Sequence, residues 1–99
     1  MAPWVAVLPF ANRSSDSELD SFVDGLTEDI VTGLSKFPYL LVKSATASFH
    51  YKGQTVDRRV VAEELSARYV VEGSLRKSGA RIRVNVQVFD AVDGTNLWA

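Results

Sequence analysis

Two stretches of this chain alternate with period two. Tyr69, Val71, Gly73 and Leu75 fall on one face of the first, and Ile82, Val84, Val86 and Val88 alternate with Arg81, Arg83, Asn85 and Gln87 in the second. That pattern belongs to strands with one face on a core and the other toward water, and so short a separation makes the two strands an antiparallel hairpin. Bringing both apolar sets to one face needs a turn of even length. Ser78-Gly79 as a two-residue turn supplies it, pairing Leu75 with Ile82 and Val71 with Val86. A slip of one residue would bury the arginines. In this register Arg76 faces Arg81, which is unfavourable, and Glu72 lies diagonal to Arg83, which offsets it. With Val84 on the core face, Val84→Asp is expected to cost several kcal/mol by burying an unpaired charge.

The other elements are arranged around that hairpin. Trp4–Leu8 is apolar without alternation, as in a strand covered on both faces, and Pro9 closes it. After the polar stretch 11–18, in which Asp16 or Ser17 can act as a cap, Leu19, Phe22, Val23, Leu26, Ile30, Val31, Leu34 and Phe37 recur at steps of three and four. They draw one stripe along a long helix that Pro38 stops. Acidic residues in its first turns and Lys36 in its last suit the helix macrodipole. Gly25, inside this helix, is expected to admit a close backbone approach. Residues 40–44 predict a short second strand, 45–56 a loop, and Asp57 the cap of a second helix reaching to about Ala67. Arg58 and Arg59 oppose the dipole there, which suits solubility or an acidic neighbour. Asp93-Gly94 turns the chain into a last strand, Thr95–Ala99, placing Phe89 opposite Trp98 on the face away from the valines. The result is an α/β fold with a single mixed five-stranded sheet, of order 2-1-3-4-5 by right-handed crossovers, and one helix on each face.

Four segments taken together, FVDGLTEDIVTGLSKFP (22–38), SFHYKG (48–53), YVVEGSLRKSG (69–79) and DGTNLWA (93–99), resemble the TolB amino-terminal-like domain, a non-catalytic module of multidomain bacterial proteins. The resemblance spans nearly the whole chain, so residues 1–99 are read as one such domain, and the break inside the last motif implies a longer parent. It also implies a mixed sheet packed with helices, of anticodon-binding-domain-like architecture. That likeness of shape carries no RNA binding with it. Domains of this kind stand beside tetratricopeptide repeats, and in some chains they follow an adenylate or guanylate cyclase domain or a DNA-binding regulator domain.

Chemistry is constrained mainly by what the residues fail to complete. At 99 residues and 46% hydrophobic content the chain supports one compact core. It has no cysteine for disulfides or thiolate sites, and a single histidine, His50, read as a surface-loop residue with no marked base or orienting group beside it. Gly73-Ser74 does not make a nucleophile elbow, and no glycine-rich phosphate loop occurs. Asp16, Glu18 and Asp20 imitate the first positions of an EF-hand loop, but Ser21 and Thr27 stand where glycine and glutamate are needed. Asp24, Glu28 and Asp29 read as a solvated helix face rather than a divalent-ion site. No catalytic residue, cofactor or metal is assigned. The formal net charge of −1 gives no field to gather phosphate backbones, so nucleic acid is not an expected partner. No apolar run approaches membrane-spanning length, so direct insertion is not expected, and the start lacks the basic and apolar regions of a signal peptide. Bacterial cytoplasm is favoured over periplasm.

What remains is interaction. Asp24 and Glu28 share one face of the first helix, one turn apart, while Arg76, Lys77, Arg81 and Arg83 make a basic hairpin tip. For Phe89 and Trp98 two outcomes stay open: one or both remain partly exposed beside the edge of the last strand, as a patch that the continuation of the chain, a second copy in a homodimer or a partner protects by strand addition, or the second helix reaches far enough to bury them. The leading reading is a protein-interaction or sensory accessory module of a bacterial signalling protein, its partner being another protein or adjacent domains of its own chain. The competing reading is a small-molecule sensor with a pocket near Ser44–Gly53 lined by Phe49 and Tyr51.

Overall fold

The computed structural model describes residues 3–98, and of Trp98 the backbone alone. Strand β1 (Trp4–Val7) lies inside the sheet, parallel to β3 (Leu41–Val42) on one side and to β4 (Tyr69–Ser78) on the other. Strand β4 pairs antiparallel with β5 (Arg81–Asp90), which pairs antiparallel with β6 (Thr95–Trp98). The order is β3-β1-β4-β5-β6, and β2 (Ala11–Asn12) pairs with β4 off this path. The five expected strands in order 2-1-3-4-5 thus become six, because β2 was missed and its presence renumbers all that follow. Its two residues sit in a polar stretch too short to show any period. Pro9 has no N–H to continue the ladder, Phe10 turns its own N–H away, and pairing resumes only at Ala11 opposite Ser74.

Helix α1 (Leu19–Ser35) covers one face, packing on β1, β2 and β3. The other face is covered by α3 (Arg58–Glu64). A short helix where a loop was expected, α2 (Ala45–Phe49), lies against α1 and β1 and is capped by the Ser44 hydroxyl accepting from Ala47 N at 3.1 Å. Alternation along β1 divides the core accordingly. Val5 and Val7 join Phe10, Val23, Val71 and Leu75 under α1, while Leu8 joins Tyr51, Val61, Ala62, Val70 and Phe89 beneath α3. The Asp57 carboxylate caps α3 as expected, accepting from Arg59 N at 2.8 Å. The start of α1 has no side-chain cap; Asp16 instead closes the preceding turn on Glu18 N at 3.0 Å.

The hairpin keeps the expected faces but not the expected register. Gly79-Ala80 forms the two-residue loop, with Gly79 at φ +60°, the positive value required at the first position of a type II′ turn. Leu75 therefore lies opposite Val84 and Val71 opposite Val88, and it is Arg83, not Arg81, that faces Arg76. A shift of two residues preserves the parity, so every side chain stays on its expected face. Burial is another matter: Ile82 is 52% and Val84 46% exposed, and only Val86 and Val88 pack against the α1-side cluster. Both arms are 10 residues long, whereas α1 packs on β1, β2 and β3 and its cluster extends along the hairpin only to Leu75, Val86 and Val88, so the distal arms run past their cover. Val84→Asp would put a carboxylate in water, and the expected large loss of stability has no basis.

Of the two outcomes open for Phe89 the structure shows burial, at 1% exposure beneath α3, the second of the helices expected from the sequence. Phe89 stands opposite Asn96 rather than Trp98, because a bulge between Val88 and Phe89 shifts the register of β6, and the Arg58 guanidinium covers its ring at 3.9 Å. The side chain of Trp98 lies outside the described residues. At the β5–β6 turn, burial opposes ionisation of Asp90. The N–H groups of Val92 and Asp93 together with the Arg68 guanidinium outweigh it and hold the carboxyl below its ordinary range.

Two residues with little signal in the sequence join these layers. Thr27, fully buried on α1, accepts the Phe10 N–H at 2.9 Å and donates to Val23 O at 3.2 Å. The Phe10 ring then lies where a side chain at Gly73 would be: a Cβ added there would stand 2.5 Å from Phe10 Cε2 and from the Asn85 carbonyl oxygen. Gly25, expected to serve close approach, meets nothing within 4 Å. Gly73→Ala should lose about 1–3 kcal/mol in urea denaturation by overpacking, whereas Gly25→Ala should gain about 0.5–1 kcal/mol by helix propensity. Thr27→Val should cost about 1–3 kcal/mol by stranding the buried Phe10 N–H, with Thr27→Ser retaining most of the stability because it keeps the acceptor.

Candidate functional site

The distal hairpin is exposed throughout residues 76–85 and holds four of the eight residues that the sequence marked, Arg76, Lys77, Arg81 and Arg83. On antiparallel strands directly opposed residues share a face, so the pairs Arg76–Arg83 and Ser78–Arg81 lie on one side, and Leu75–Val84 and Lys77–Ile82 on the other. The tip is amphipathic, arginine on one face and isoleucine and valine on the other. Lys77 approaches Asp16 at 3.9 Å, and its backbone N–H donates to the Ser14 hydroxyl at 2.5 Å, which ties the arm to the loop before α1. Among the described residues no carboxylate lies within 4.0 Å of Arg76, Arg81 or Arg83. Two guanidinium groups directly opposed, with no anion between them, oppose pairing.

The acidic helix face does not join this cluster. Asp24 forms an ion pair with Lys52, and Glu28, one turn on, is exposed. Among the described residues no group of three or more His, Asp or Glu side chains could hold a metal ion, and no helix is long and apolar enough to cross a membrane. Arg58 finds the acidic neighbour anticipated for it, meeting Glu72 at 2.8 Å and Asn96 at 3.0 Å while lying over Phe89. Phe89 is core, so of the expected aromatic patch only the Trp98 backbone position is described.

A second feature is an open cleft of about 460 Å³ on the face shared with α3. Glu72, Ser74, Asn85 and Gln87, the polar positions of the hairpin base, form its floor. Its walls are Tyr51 with Gln54–Val56 on one side and Leu8, Pro9, Ala11 and Arg13 on the other. An adjoining hollow of about 400 Å³ shares Pro9, Ala11, Tyr51, Gln54 and Thr55 and extends to Asp20, Asp24 and Lys52. The expected pocket thus includes Tyr51 but not Phe49. The Tyr51 hydroxyl donates to Glu64 at 2.9 Å, and burial first, then that bond and the carboxylate's charge, raise its pKa above the ordinary phenol value. His50, beside it, is exposed and stacks edge-on to Tyr51. Sequence reasoning missed the cleft, since its floor consists of residues that alternation marks only as pointing away from the valines.

Residues 2–98 match the family described as HilA/YgeH-like transcriptional regulator, second domain. A protein of Rhizobium meliloti (strain 1021) named "Putative adenylate cyclase 3" is 53% identical over 97 residues, a match covering 98% of this chain and 16% of that protein. Among solved structures, lipoprotein GNA1162 of Neisseria meningitidis superposes with a TM-score of 0.75 at 17% identity, covering 97% of this chain and 77% of that one. The LpoB C-terminal domain of Salmonella enterica gives 0.73 at 17% identity, with 98% and 78% covered. TolB of Acinetobacter baumannii gives 0.60 at 19% identity, with 98% and 22% covered. At these identities the structural likeness, TolB included, is one of fold.

The opposed arginines yield a test of whether the fold needs them. Arg83→Glu, which puts a carboxylate opposite Arg76, should raise the urea midpoint by the equivalent of about 0.2–1 kcal/mol. A loss of stability would show that Arg83 holds the hairpin together.

Proposed function

Because the chain belongs to the HilA/YgeH-like transcriptional regulator second-domain family, we propose that it is a non-catalytic accessory domain of a multidomain bacterial signalling protein, working by protein contact through its distal hairpin. The observation that carries this is the exposure of Ile82 and Val84, neighbours on one face of an arm whose other face bears Arg76, Arg81 and Arg83. Apolar side chains left in water beside cations with no carboxylate nearby add nothing to the fold, and they are what a protein contact uses for area and orientation. The setting agrees. The family is described as one domain of a regulator, and the match occupies a small part of a protein named as a cyclase. The four motifs that resemble the TolB amino-terminal-like domain support the same association with cyclase, repeat and DNA-binding neighbours. The contact is with such neighbours in the chain or with another protein.

A sensor reading has one observation in its favour, the polar cleft between Tyr51 and the hairpin base. Its floor of amide, hydroxyl and carboxylate groups offers a small polar ligand hydrogen bonds but little apolar enclosure.

Amide hydrogen exchange, measured on the isolated domain and on the domain within its parent protein, separates the two. Contact through the hairpin should slow residues 76–86 in the parent and leave residues 54–56 unchanged. Identical exchange at the hairpin in both would overturn the interaction reading. Slowing confined to the cleft on addition of a small molecule would support the sensor.

A further inference from the structure

The face of the sheet that floors the cleft is laid out in rows. Residues paired across neighbouring strands share a face, so Glu72 and Gln87 form one row, and Ala11, Ser74 and Asn85 the next. The row after that is all arginine. Arg13 follows Ala11 by two residues, and its N–H donates to Leu75 O at 2.8 Å, so it stays in step with β4 and comes beside Arg76, itself opposite Arg83. Neighbouring strands lie about 4.8 Å apart, so Arg13 and Arg76 leave adjacent backbones on the same side. Among the described residues no carboxylate lies within 4.0 Å of either guanidinium. Glu72, two rows away, is engaged by Arg58 at 2.8 Å. Arg13 also lines the cleft wall, which puts uncompensated positive charge at one end of a polar hollow. Like charges so close oppose the fold, and neither arginine belongs to a core cluster that would require it.

We propose that the cleft binds a small phosphorylated polyol, such as a sugar phosphate, with its phosphate on Arg13 and Arg76 and its hydroxyl groups over the floor. The arginine row selects the charged end. A phosphate monoester carries close to two negative charges and three acceptor oxygens, enough to compensate two guanidinium groups whose planar donors match it, whereas a carboxylate brings one charge. The floor selects the other end. Ser74, Asn85 and Gln87, with Thr55 on the wall, offer both donors and acceptors, as the hydroxyl groups of a polyol require. Leu8, Pro9 and Val56 supply apolar contact for its C–H groups, and the volume of about 460 Å³ suits a small molecule. A nucleic acid is a poorer occupant: Tyr51 is buried at 6% exposure and offers no stacking platform, and Glu72 at the opposite end of the floor disfavours a second phosphate. The inference rests on the sensor reading of the cleft and deepens it by giving the ligand's chemistry.

The test follows the amide resonances of the isotope-labelled chain at about 0.15 M NaCl, where exposed charges are screened. Glucose 6-phosphate, ribose 5-phosphate and glycerol 3-phosphate are the probes. At least one should move the resonances of Arg13, Thr55, Ser74 and Asn85, with inorganic phosphate and the phosphate-free polyol each binding about tenfold more weakly or worse. Arg13→Gln with Arg76→Gln should lower that affinity about tenfold or more while holding or raising the urea midpoint, because the charges removed repel each other. Arg13→Lys with Arg76→Lys, which keeps the charge and loses the fork, should fall between wild type and the glutamine variant. Ser74→Ala should weaken the phosphorylated polyol and leave inorganic phosphate unchanged, which tests the floor with both arginines in place. Equal binding of inorganic phosphate and the three esters, equal binding of gluconate and the esters, or full affinity in the glutamine variant would each overturn the proposal. Tighter binding of a single-stranded oligonucleotide than of any ester would overturn it as well. Movement of the cleft resonances by the phosphate-free polyols alone would overturn the phosphate site and leave the sensor reading standing; silence of these resonances toward every probe would remove both.

Discussion

The fold turns on the hydrogen bond from the Phe10 N–H to the Thr27 hydroxyl. Pro9 ends the ladder of β1, and Phe10, turning inward, would carry an unpaired N–H into the core if α1 did not supply a buried acceptor. That acceptor fixes α1 against the strand break, and the break aims the Phe10 ring at the backbone of β4, where only the absence of a side chain at Gly73 leaves room. Helix, broken strand and hairpin base are thus held by a bond and a steric fit in series. Neither is easily replaced, because at position 27 only another hydroxyl keeps the acceptor and at position 73 any side chain meets the ring.

Much of this architecture was legible in the sequence, and the reasons differ by element. The period-two runs at 69–75 and 82–88 set which side chains share a face, since parity survives any even shift of register. They could not set which of Ser78, Gly79 and Ala80 occupy the turn, because each placement keeps the same parity. The stripe from Leu19 to Leu34 and the Asp57 cap were readable from spacing and residue type. β2 and α2 were not, being shorter than the periods that would reveal them. Burial was the weakest inference. Alternation shows that Ile82 and Val84 share a face with Leu75, but whether a helix lies over that face depends on where α1 crosses the sheet, and no local pattern encodes that. Phe89 went the other way, since nothing near it in sequence announces that Arg58 and α3 will cover it.

The candidate site was legible to a different degree. Arg76, Lys77, Arg81 and Arg83 could be gathered by reading the hairpin alone, and the structure puts the three arginines on one face and Lys77 on the other, near Asp16. Asp24 and Glu28 share a helix face, but Asp24 is engaged by Lys52, a partner from a loop distant in sequence. The cleft needed the hairpin base, the α2–α3 connection and the segment after β1 to be placed in space together.

The uneven lengths of helix and hairpin also bear on how such a domain can change over generations. Residues from Arg76 to Val84 stand beyond the reach of α1, so substitutions among them leave the two core clusters intact. Most random changes in a small protein are purged because they loosen its core, and a projecting arm is sheltered from that filter. Descendants of one ancestral chain can therefore exchange arginine for glutamate or valine for threonine at the tip without loosening the core, while changes at Thr27, Phe10 and Gly73 meet the full filter of stability. Within such a lineage the scaffold would diverge slowly and the arm quickly.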